Sequence, residues 1–370
     1  CLSMQSLNVE TLGDIKRRNW TAKQYIEFIN ECKKRGKASG SEIIIPLPKE
    51  TEKSYFEGVK FLMENNIQAR TWTLMMLCGA ELGRDKAIND FNMKSKYRLL
   101  PKQFGKYCGE KVFEIEKICV STNTMDHESY LRCRNYSFVV KLLGHAVFVP
   151  IEKLTKKLGI SWYDFSKKIT DVLQDKNFKG EFKNLYNEFC QESQNELFNS
   201  SEEAIAYYSK PENYEAVLRG DIGENLLSKY TVKGLLILDD ILTTIFHVLR
   251  NNFSNNDNEL NTILSSSEKW LKNLYILDAI FDEEVSKRYD RHELKIDFDF
   301  PEWLSKSSLP FTKFKKNSTY ELKYDIKKIN YIRREIKSFG NDKKRAFGRY
   351  LDRRAGTGFN FFEKTIEKLN

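Results

Sequence analysis

The chain has 370 residues, of which 41% are hydrophobic and 31% charged, and its formal net charge at pH 7 is +9. These values are typical of a globular protein with room for two or three domains. Because no uninterrupted apolar run approaches the ~20 residues that a membrane-spanning helix needs, we expect no membrane span and a cytoplasmic location. The positive charge, much of it near the C-terminus, permits anionic ligands or nucleic acid without requiring either.

The cysteines and histidines are not spaced as metal ligands or as a disulfide framework. No two of the seven cysteines form a CxxC pair, and an odd, irregular set favours reduced thiols over disulfides. We expect most of them to be small buried side chains. The adjacent Asp239 and Asp240 are better explained by solvation and hydrogen bonding than by metal binding. The sequence therefore predicts no metal ligand and identifies no catalytic side chain.

The N-terminal part alternates between strand-like and helical patterns. Residues 1–9 resemble a strand that runs into a loop, and Glu10–Arg18 and Tyr25–Cys32 have the apolar spacing of amphipathic helices. Ser41–Ile45 is an Ile-rich run typical of a strand buried on both faces. This strand must end at Pro46, because proline cannot donate a hydrogen bond to a neighbouring strand.

A helix and a second strand follow. Thr51 stands at the position of a helix N-cap, and apolar residues at three- and four-residue spacing predict a helix that closes at Asn65 and Asn66. Thr71–Leu77 is again strand-like. Because a strand, a crossover helix and a second strand form a right-handed unit of a parallel sheet, the opening of the chain predicts an α/β fold.

Four short segments of this region carry a resemblance to a known enzyme family. They are Gln5-Ser6, Ile15-Lys16-Arg17-Arg18-Asn19, SEIIIPLPKET (41–51) and Leu77-Cys78-Gly79-Ala80-Glu81-Leu82. In this order they resemble the QS, ikR.N, GLPgET and GTEL elements in the second half of a radical SAM barrel. The resemblance is greatest to proteins that often carry an upstream cobalamin-binding domain. Pro46, Lys49 and Ala80 depart from the family pattern, since they replace two glycines and a threonine.

The resemblance implies a partial parallel α/β barrel, a half barrel, in residues 1–95, followed by a mainly α-helical C-terminal domain. It implies S-adenosylmethionine (SAM) and a [4Fe–4S] cluster as cofactors, with cobalamin as a further expectation. The family holds its cluster on a CxxxCxxC loop, which this sequence lacks. We therefore expect the C-terminal portion of a longer enzyme, inactive alone, with the cluster and any cobalamin held outside this chain. A small-molecule substrate and an electron donor such as flavodoxin or ferredoxin are implied as partners.

The resemblance also assigns SAM contacts to matching residues. Gln5 matches a position that contacts the SAM ribose, and Arg17 matches a cation near the SAM carboxylate, which a guanidinium can bind through two hydrogen bonds. Glu42 matches an acidic position that accepts ribose hydroxyls. Leu47 and Met76 match positions that flank the adenine, although both also suit an apolar core. In the competing interpretation Arg17 is one of three adjacent solvated cations, and Glu42 caps a helix or pairs with a lysine.

Residues 96–143 resemble the segment that follows the barrel in the same family. Lys111–Val120 alternates well enough to predict a strand, and Asp126 is placed to cap a helix that runs to the end of the segment. Pro101 and Gly105 indicate loops before the strand. We expect a strand-and-helix extension of the N-terminal part.

The rest of the chain carries little chemical signal. Residues 144–290 have the apolar spacing of a helical domain, and residues 291–370 predict one strand and a basic helical tail. Two alternatives to a radical SAM enzyme stay open: a non-catalytic binding protein with a degenerate barrel, and a basic helical RNA-binding protein. The RNA-binding alternative arises because Phe347 and Tyr350 stand among the cations of Lys343–Arg354. A solvated tail explains the same pattern, so nucleic acid is not the partner we expect.

Overall fold

The computed structural model of the chain describes residues 3–35, 40–253, 257–282, 284, 291–353 and 362–369. It forms two compact units, of which unit 1 comprises Cys1–Gly144 with Tyr186–Lys229, and unit 2 comprises His145–Leu185 with Tyr230–Asn370. Cys1, expected among the reduced thiols, and Arg354, expected at the end of the basic segment, lie outside the described residues.

The first part of unit 1 alternates short helices and strands and ends in a long hairpin and a helix. Its elements are α1 (Val9–Asp14), α2 (Ala22–Lys34), β1 (Gly40–Ile45), α3 (Glu52–Glu64), β2 (Gln68–Thr73), α4 (Asp85–Asp90), β3 (Lys94–Tyr107), β4 (Glu110–Ser121) and α5 (His127–Leu143).

Helix α1 is shorter than the predicted helix Glu10–Arg18. It starts where the Asn8 side chain accepts a hydrogen bond from the Glu10 N–H. It closes after one and a half turns, and Lys16 then takes a positive φ of 52°. The segment after α1 is therefore a turn, which frees its polar side chains to contact other segments.

Strands β1 and β2 form a parallel pair, with Gly40 opposite Gln68 and Ile45 opposite Thr73. The side chains of β1 are alternately half-buried and buried, so one face of the pair packs into the core. The crossover between them is α3, and the predicted N-cap is confirmed, since the Thr51 hydroxyl accepts from the Ser54 N–H. Residues 40–73 thus form a strand–helix–strand unit, in which the second strand is Gln68–Thr73 and not the predicted Thr71–Leu77.

The predicted half barrel in residues 1–95 is wrong. Among the described residues of this region, parallel pairing is confined to β1–β2 and to a single bridge between Gln5 and Ile43. Beyond β2, Met75 bridges Ile118 of β4 in the antiparallel sense. A further parallel strand would need a crossover of a dozen or more residues. The chain instead passes through a 3₁₀ turn and the short α4 into a hairpin, so the sheet stays small and open.

Strands β3 and β4 form an antiparallel hairpin that includes residues predicted as loops. Pro101 and Gly105 lie within β3, and the pairing shifts register between Leu99 and Phe104. A bulge at this point accommodates a proline that cannot donate to the neighbouring strand. The predicted strand Lys111–Val120 is confirmed as β4. One apolar face of the hairpin belongs to a core cluster with Phe198, Ala204, Tyr208, Tyr214 and Val217.

The following part of the chain is helical, as predicted. Its elements are α6 (Val149–Lys157), α7 (Trp162–Gln174), α8 (Glu181–Asn195), α9 (Ser201–Ser209), α10 (Pro211–Arg219), α11 (Leu226–Leu236), α12 (Leu238–Phe253), α13 (Asn258–Leu274) and α14 (Leu277–Phe281). Among the helices that the structure describes, none combines the length and the apolar character needed to cross a membrane.

Unit 2 closes with a small antiparallel sheet and basic helices. The strand order is β5–β6–β7, and the first of these is the strand predicted at the start of the region 291–370. The sequence pattern did not predict the other two strands. The elements are β5 (Arg291–Ile296), α15 (Phe300–Ser305), β6 (Ser318–Lys323), α16 (Ile326–Lys337), α17 (Lys343–Arg353) and β7 (Thr365–Lys368).

Candidate functional site

Three segments of unit 1 leave the parallel pair at the same edge. The Gln5 N–H donates to the Glu42 carbonyl at 2.8 Å, and the Ile44 N–H donates to the Gln5 carbonyl at 2.9 Å, which fixes residues 4–6 along β1. The Leu74 N–H donates to the Ile45 carbonyl at 2.8 Å, which keeps the chain after β2 beside the end of β1. In open α/β sheets, ligands bind at the carboxyl ends of parallel strands. We therefore expect a ligand site in this unit to lie at this edge.

Glu50 lies in the loop that leaves β1 and is 1% exposed. Its two carboxylate oxygens accept hydrogen bonds from the hydroxyls of Ser6 and Ser54. Burial raises the pKa of Glu50, because a buried charge loses its hydration, and the two hydroxyl donors offset only part of this effect. The Thr124 hydroxyl also donates to the Glu50 carbonyl at 2.8 Å. Glu50 thus joins the first segment to the loop after β1.

Asn19 joins the turn after α1 to the same place. Its amide nitrogen donates to the carbonyls of Met4 at 2.7 Å and Ser6 at 2.9 Å. Its amide oxygen accepts from Arg17 Nε at 3.1 Å. One side chain therefore fixes the backbone of residues 4–6 and orients a guanidinium.

Lys16 completes the arrangement by reaching the segment after β2. Its Nζ lies 2.5 Å from Glu81 Oε1, and this ion pair holds the pKa of Glu81 below its usual range. Both side chains are mostly exposed, so the pair contributes little to stability. It shows that the turn after α1 and the segment after β2 are neighbours. We call this set the four-segment junction. It consists of Gln5, Ser6, Lys16, Asn19, Glu50 and Glu81.

The structure places the three predicted SAM contacts as follows. Gln5 and Glu42 meet through the backbone hydrogen bond between them, and both side chains are half-buried. Gln5 has a positive φ of 58°, a backbone conformation that L-residues rarely adopt and that often marks a functional position. Arg17 Nη2 donates to the Ser3 carbonyl at 2.6 Å. No hydrogen bond or ion pair joins the three side chains to one another within the described part of the chain.

Arg17 also borders a small cavity. The cavity has a volume of about 90 Å³ and is lined by Ser3, Arg17, Asn19, Trp20 and Tyr25 among others. Pockets for drug-sized ligands usually enclose ~300 Å³ or more, so this one has room for a single functional group. The hydrogen bonds from Nε and Nη2 fix the guanidinium plane, and Nη1 keeps donors for an anionic group.

Leu47 and Met76 lie in the core. Leu47 is 2% exposed and Met76 7%, and both pack in a buried cluster with Leu74, Met93 and Cys119. Burial raises the pKa of the Cys119 thiol to about 11, so it is not a reactive thiolate at neutral pH. The expected burial of cysteines also holds for Cys133, whereas Cys78 and Cys108 are exposed.

The implied cofactors fit these residues to different degrees. The fixed guanidinium of Arg17 suits a carboxylate such as that of SAM, and Arg17 lines the small cavity. That cavity also borders Met4, whose N–H donates to Ser41 Oγ, so it lies beside the start of β1. A [4Fe–4S] cluster needs Cys thiolates, and in the part of the chain that the structure describes no three His, Cys, Asp or Glu side chains are grouped to hold a metal ion. These residues do not fit the cluster, so no step is derived through it.

Sequence reasoning selected the four segments but not the side chains that join them. Ser6, Lys16, Asn19, Glu50 and Glu81 are all in the quoted motifs, yet a motif does not tell which of its polar residues face each other. Their polar character at the ends of apolar strands was the available signal. Comparisons with protein-family models and with curated proteins found no match to this chain.

Proposed function

We propose that this chain is part of a radical SAM enzyme, and that the four-segment junction contributes contacts to SAM. One observation carries the proposal: the four segments on which the resemblance rests converge at the carboxyl edge of β1–β2. Ser6 bonds to Glu50, Asn19 to the backbone of residues 4–6, and Lys16 to Glu81. If the four motif matches had arisen by chance, we would not expect their segments to lie together in the folded chain.

Residues in the junction, together with the neighbouring Arg17 and Glu42, have distinct roles in this proposal. Arg17 binds the SAM carboxylate through its remaining guanidinium donors, while Asn19 positions it. The Gln5 amide donates to or accepts from the ribose hydroxyls, and the Glu42 carboxylate accepts from them. Glu50 does not touch SAM. Its two serine hydrogen bonds hold the loops at the distance that the ligand requires.

The proposal assigns only the SAM contacts to these residues and does not depend on a barrel. The described residues do not fit the [4Fe–4S] cluster that the resemblance implies, and that cluster would supply the electron for cleavage of SAM. Electron donation by a flavodoxin or ferredoxin, a cobalamin and a small-molecule substrate are parts of the same proposal that lie outside the junction. This chain contributes binding and orientation.

Binding of SAM by the chain tests the proposal. Saturation-transfer-difference NMR detects ligands with dissociation constants up to about 1 mM, which corresponds to a binding free energy of roughly −4 kcal/mol. We expect transfer to the methionine methylenes and the ribose protons. Arg17→Ala removes hydrogen bonds to a charged group, which contribute about 1.5–3 kcal/mol, and should weaken binding at least ~10-fold.

Arg35→Ala is the matched control, since Arg35 belongs to the same unit and bonds to Glu31 on the exposed surface of α2. It should leave SAM binding unchanged. The absence of saturation transfer from the wild-type chain, or an equal loss in the two variants, would contradict the proposal.

A further inference from the structure

The charge of the chain is unevenly distributed. Residues 291–370 contain 20 lysines and arginines and 11 aspartates and glutamates, a net charge of +9 that equals the charge of the whole chain. Residues 1–290 are therefore balanced. A charge excess confined to one end of the chain creates a local positive field that attracts polyanions.

Helices α16 and α17 carry the centre of this excess and pack against each other through apolar faces. The buried faces are formed by Ile329, Ile332 and Ile336 on α16 and by Phe347 and Tyr350 on α17. Asp342 starts α17 by accepting a hydrogen bond from the Arg345 N–H at 2.8 Å. The helix pair is thus anchored, and its opposite faces are free to present cations.

Some cations of this pair are used inside the fold. Lys328 donates to the Glu363 carbonyl at 2.8 Å, and Arg349 donates to the Phe339 carbonyl at 2.8 Å. Arg333 binds the carbonyls of Ala279 and Ile280, so it caps the end of α14. These side chains hold the helices in place and are not available to a partner.

Six of the other cations of this pair are exposed, whereas Arg345 is half-buried. Among the described residues no carboxylate lies within ion-pair distance of these six. Lys327, Arg334 and Lys337 follow one face of α16, and Tyr331 lies between the first two at helical spacing. The exposed cations are Lys327, Arg334, Lys337, Lys343, Lys344 and Arg353. We call this set, together with Tyr331, the basic face.

Tyr331 distinguishes this face from a plain solvated charge run. Its ring is 38% exposed, and the Arg334 guanidinium lies over it with 5.6 Å to the ring centroid. Nucleic-acid bases stack on such aromatic and guanidinium groups, while lysines on the same surface contact the phosphates. An anionic membrane would instead favour exposed aliphatic side chains along the helix, and on α16 the exposed aliphatic residue is Ile326 at its first position.

We propose that the basic face of α16 and α17 binds single-stranded nucleic acid. The cations contact successive phosphates, and a base stacks on the cation–π pair that Arg334 forms with Tyr331. The contacts are independent of base sequence, because they involve phosphates and ring faces but no base edges. This activity is separate from SAM binding in unit 1, and either can hold without the other.

Fluorescence anisotropy of the whole chain with a labelled single-stranded RNA and a DNA of the same sequence tests the proposal over a salt series. Lys327→Gln/Arg334→Gln/Lys337→Gln removes three cations while keeping good helix formers. Each single-strand phosphate contact contributes ~0.7 to the slope of log K against log salt, so the slope should fall by about 2 and affinity at 0.1 M salt by roughly 100-fold.

The matched control is Lys153→Gln/Lys176→Gln/Lys179→Gln, which removes three exposed lysines elsewhere in the same unit. It should bind as the wild type does. Tyr331→Ala should weaken binding ~10-fold with the slope unchanged, whereas Tyr331→Phe should retain affinity, because stacking needs only the ring. An equal response to RNA and DNA supports contacts to phosphates and ring faces.

Three results would overturn the proposal. The first is the absence of binding to either strand at low salt. The second is an equal loss of affinity in the basic-face and control triple variants while both melt at the wild-type temperature. The third is binding to anionic phospholipid vesicles without binding to either nucleic acid, which would assign the basic face to a membrane surface.

Discussion

Ser6 donates a hydrogen bond to the carboxylate of Glu50 across 44 positions of sequence. Both atoms are buried, and each residue belongs to a different segment at the edge of the β1–β2 pair. The bond therefore does more than satisfy two polar groups. It fixes the relative position of the segment that carries Gln5 and the loop that begins α3.

The first prediction concerns the pH dependence of stability at Glu50. Because burial raises its pKa in the folded state, the folded protein binds the proton more tightly than the unfolded chain does. The stabilisation that follows is present below the unfolded pKa of ~4.3 and is lost as pH rises through the folded pKa. Glu50→Gln should therefore stabilise the protein at pH 7, by about 1.4 kcal/mol for each unit of the shift, and should have little effect at pH 4.

Denaturant unfolding at pH 4 and pH 7 measures this difference. Glu57→Gln is the control, since Glu57 is mostly exposed on α3 and its ion pair with Lys53 is 3.9 Å long. A Glu50→Gln effect that does not grow with pH, or that matches Glu57→Gln, would be inconsistent with a buried carboxylate of raised pKa.

The second prediction tests Asn19 as the connector of the junction. Asn19→Ala removes two hydrogen bonds to the carbonyls of residues 4 and 6 and one from Arg17. We expect the free energy of unfolding to fall by about 1–3 kcal/mol, because the Ser6 carbonyl loses this donor and the Met4 carbonyl keeps only the Ser6 N–H. Asn65→Ala, whose side chain donates to one carbonyl of its own helix at 2.8 Å, should cost less than 1 kcal/mol. Equal losses measured by urea unfolding would refute the connector role.

The third prediction concerns a largely buried ion network in unit 1. Glu196 Oε1 accepts from Arg98 and Arg134 at 3.2 Å each, and Arg98 also bonds to Glu116 at 2.5 Å. Glu196→Ala removes the carboxylate that the two guanidinium groups share, so we expect the free energy of unfolding to fall by about 3–5 kcal/mol.

The control for this network is Glu52→Ala, which breaks a pair with Arg132 on the exposed surface. An exposed pair contributes about 1 kcal/mol or less. Thermal melting of both variants gives the comparison, and a loss at Glu196 as small as that at Glu52 would rule out a structural role for the network.

The fourth prediction separates charge from helix capping in unit 2. Asp299 is 0% exposed, caps α15, and bonds to Ser318, Tyr320 and Lys368. Asp299→Asn keeps a good N-cap but removes the charge, so we expect the free energy of unfolding to fall by about 1.5–3 kcal/mol.

Asp325 provides a matched cap, since it accepts from the Lys328 N–H in the same way at 3.1 Å but is exposed. Asp325→Asn should change stability by less than ~0.5 kcal/mol. If calorimetry gave the two variants the same melting temperature, the buried charge would have no role in stability.

Local patterns in the sequence predicted several elements well. The alternation in Lys111–Val120 gave β4, and Thr51 capped the helix that it was expected to cap. The half barrel, which the resemblance implied, was wrong, because neither short motifs nor periodicity determine which strands pair. Whether the strand after β2 is parallel depends on the length of the next connection and on long-range pairing such as that of Met75 with Ile118.

The candidate site was predicted as a set of segments rather than as a set of contacts. The motifs predicted Gln5, Arg17 and Glu42 as contacts to one ligand. In the structure a backbone hydrogen bond joins Gln5 to Glu42, and the Arg17 guanidinium bonds to Asn19 and Ser3. The role of Glu50 could not be predicted, because its burial results from the folding of loops that are far apart in sequence. Helix α1 also ends earlier than predicted, because the chain turns at Lys16, where φ is positive.

Hydrogen–deuterium exchange of the chain with and without SAM tests the central claim most directly, because it maps where the ligand acts without assuming any contact. We predict that SAM slows exchange in residues 3–8, 14–20, 41–52 and 74–82, which include the proposed contacts and the edge of the β1–β2 pair, and that Arg17→Ala reduces this protection. Unchanged exchange in those four segments at saturating SAM, or protection confined to unit 2, would contradict the assignment of SAM binding to the four-segment junction.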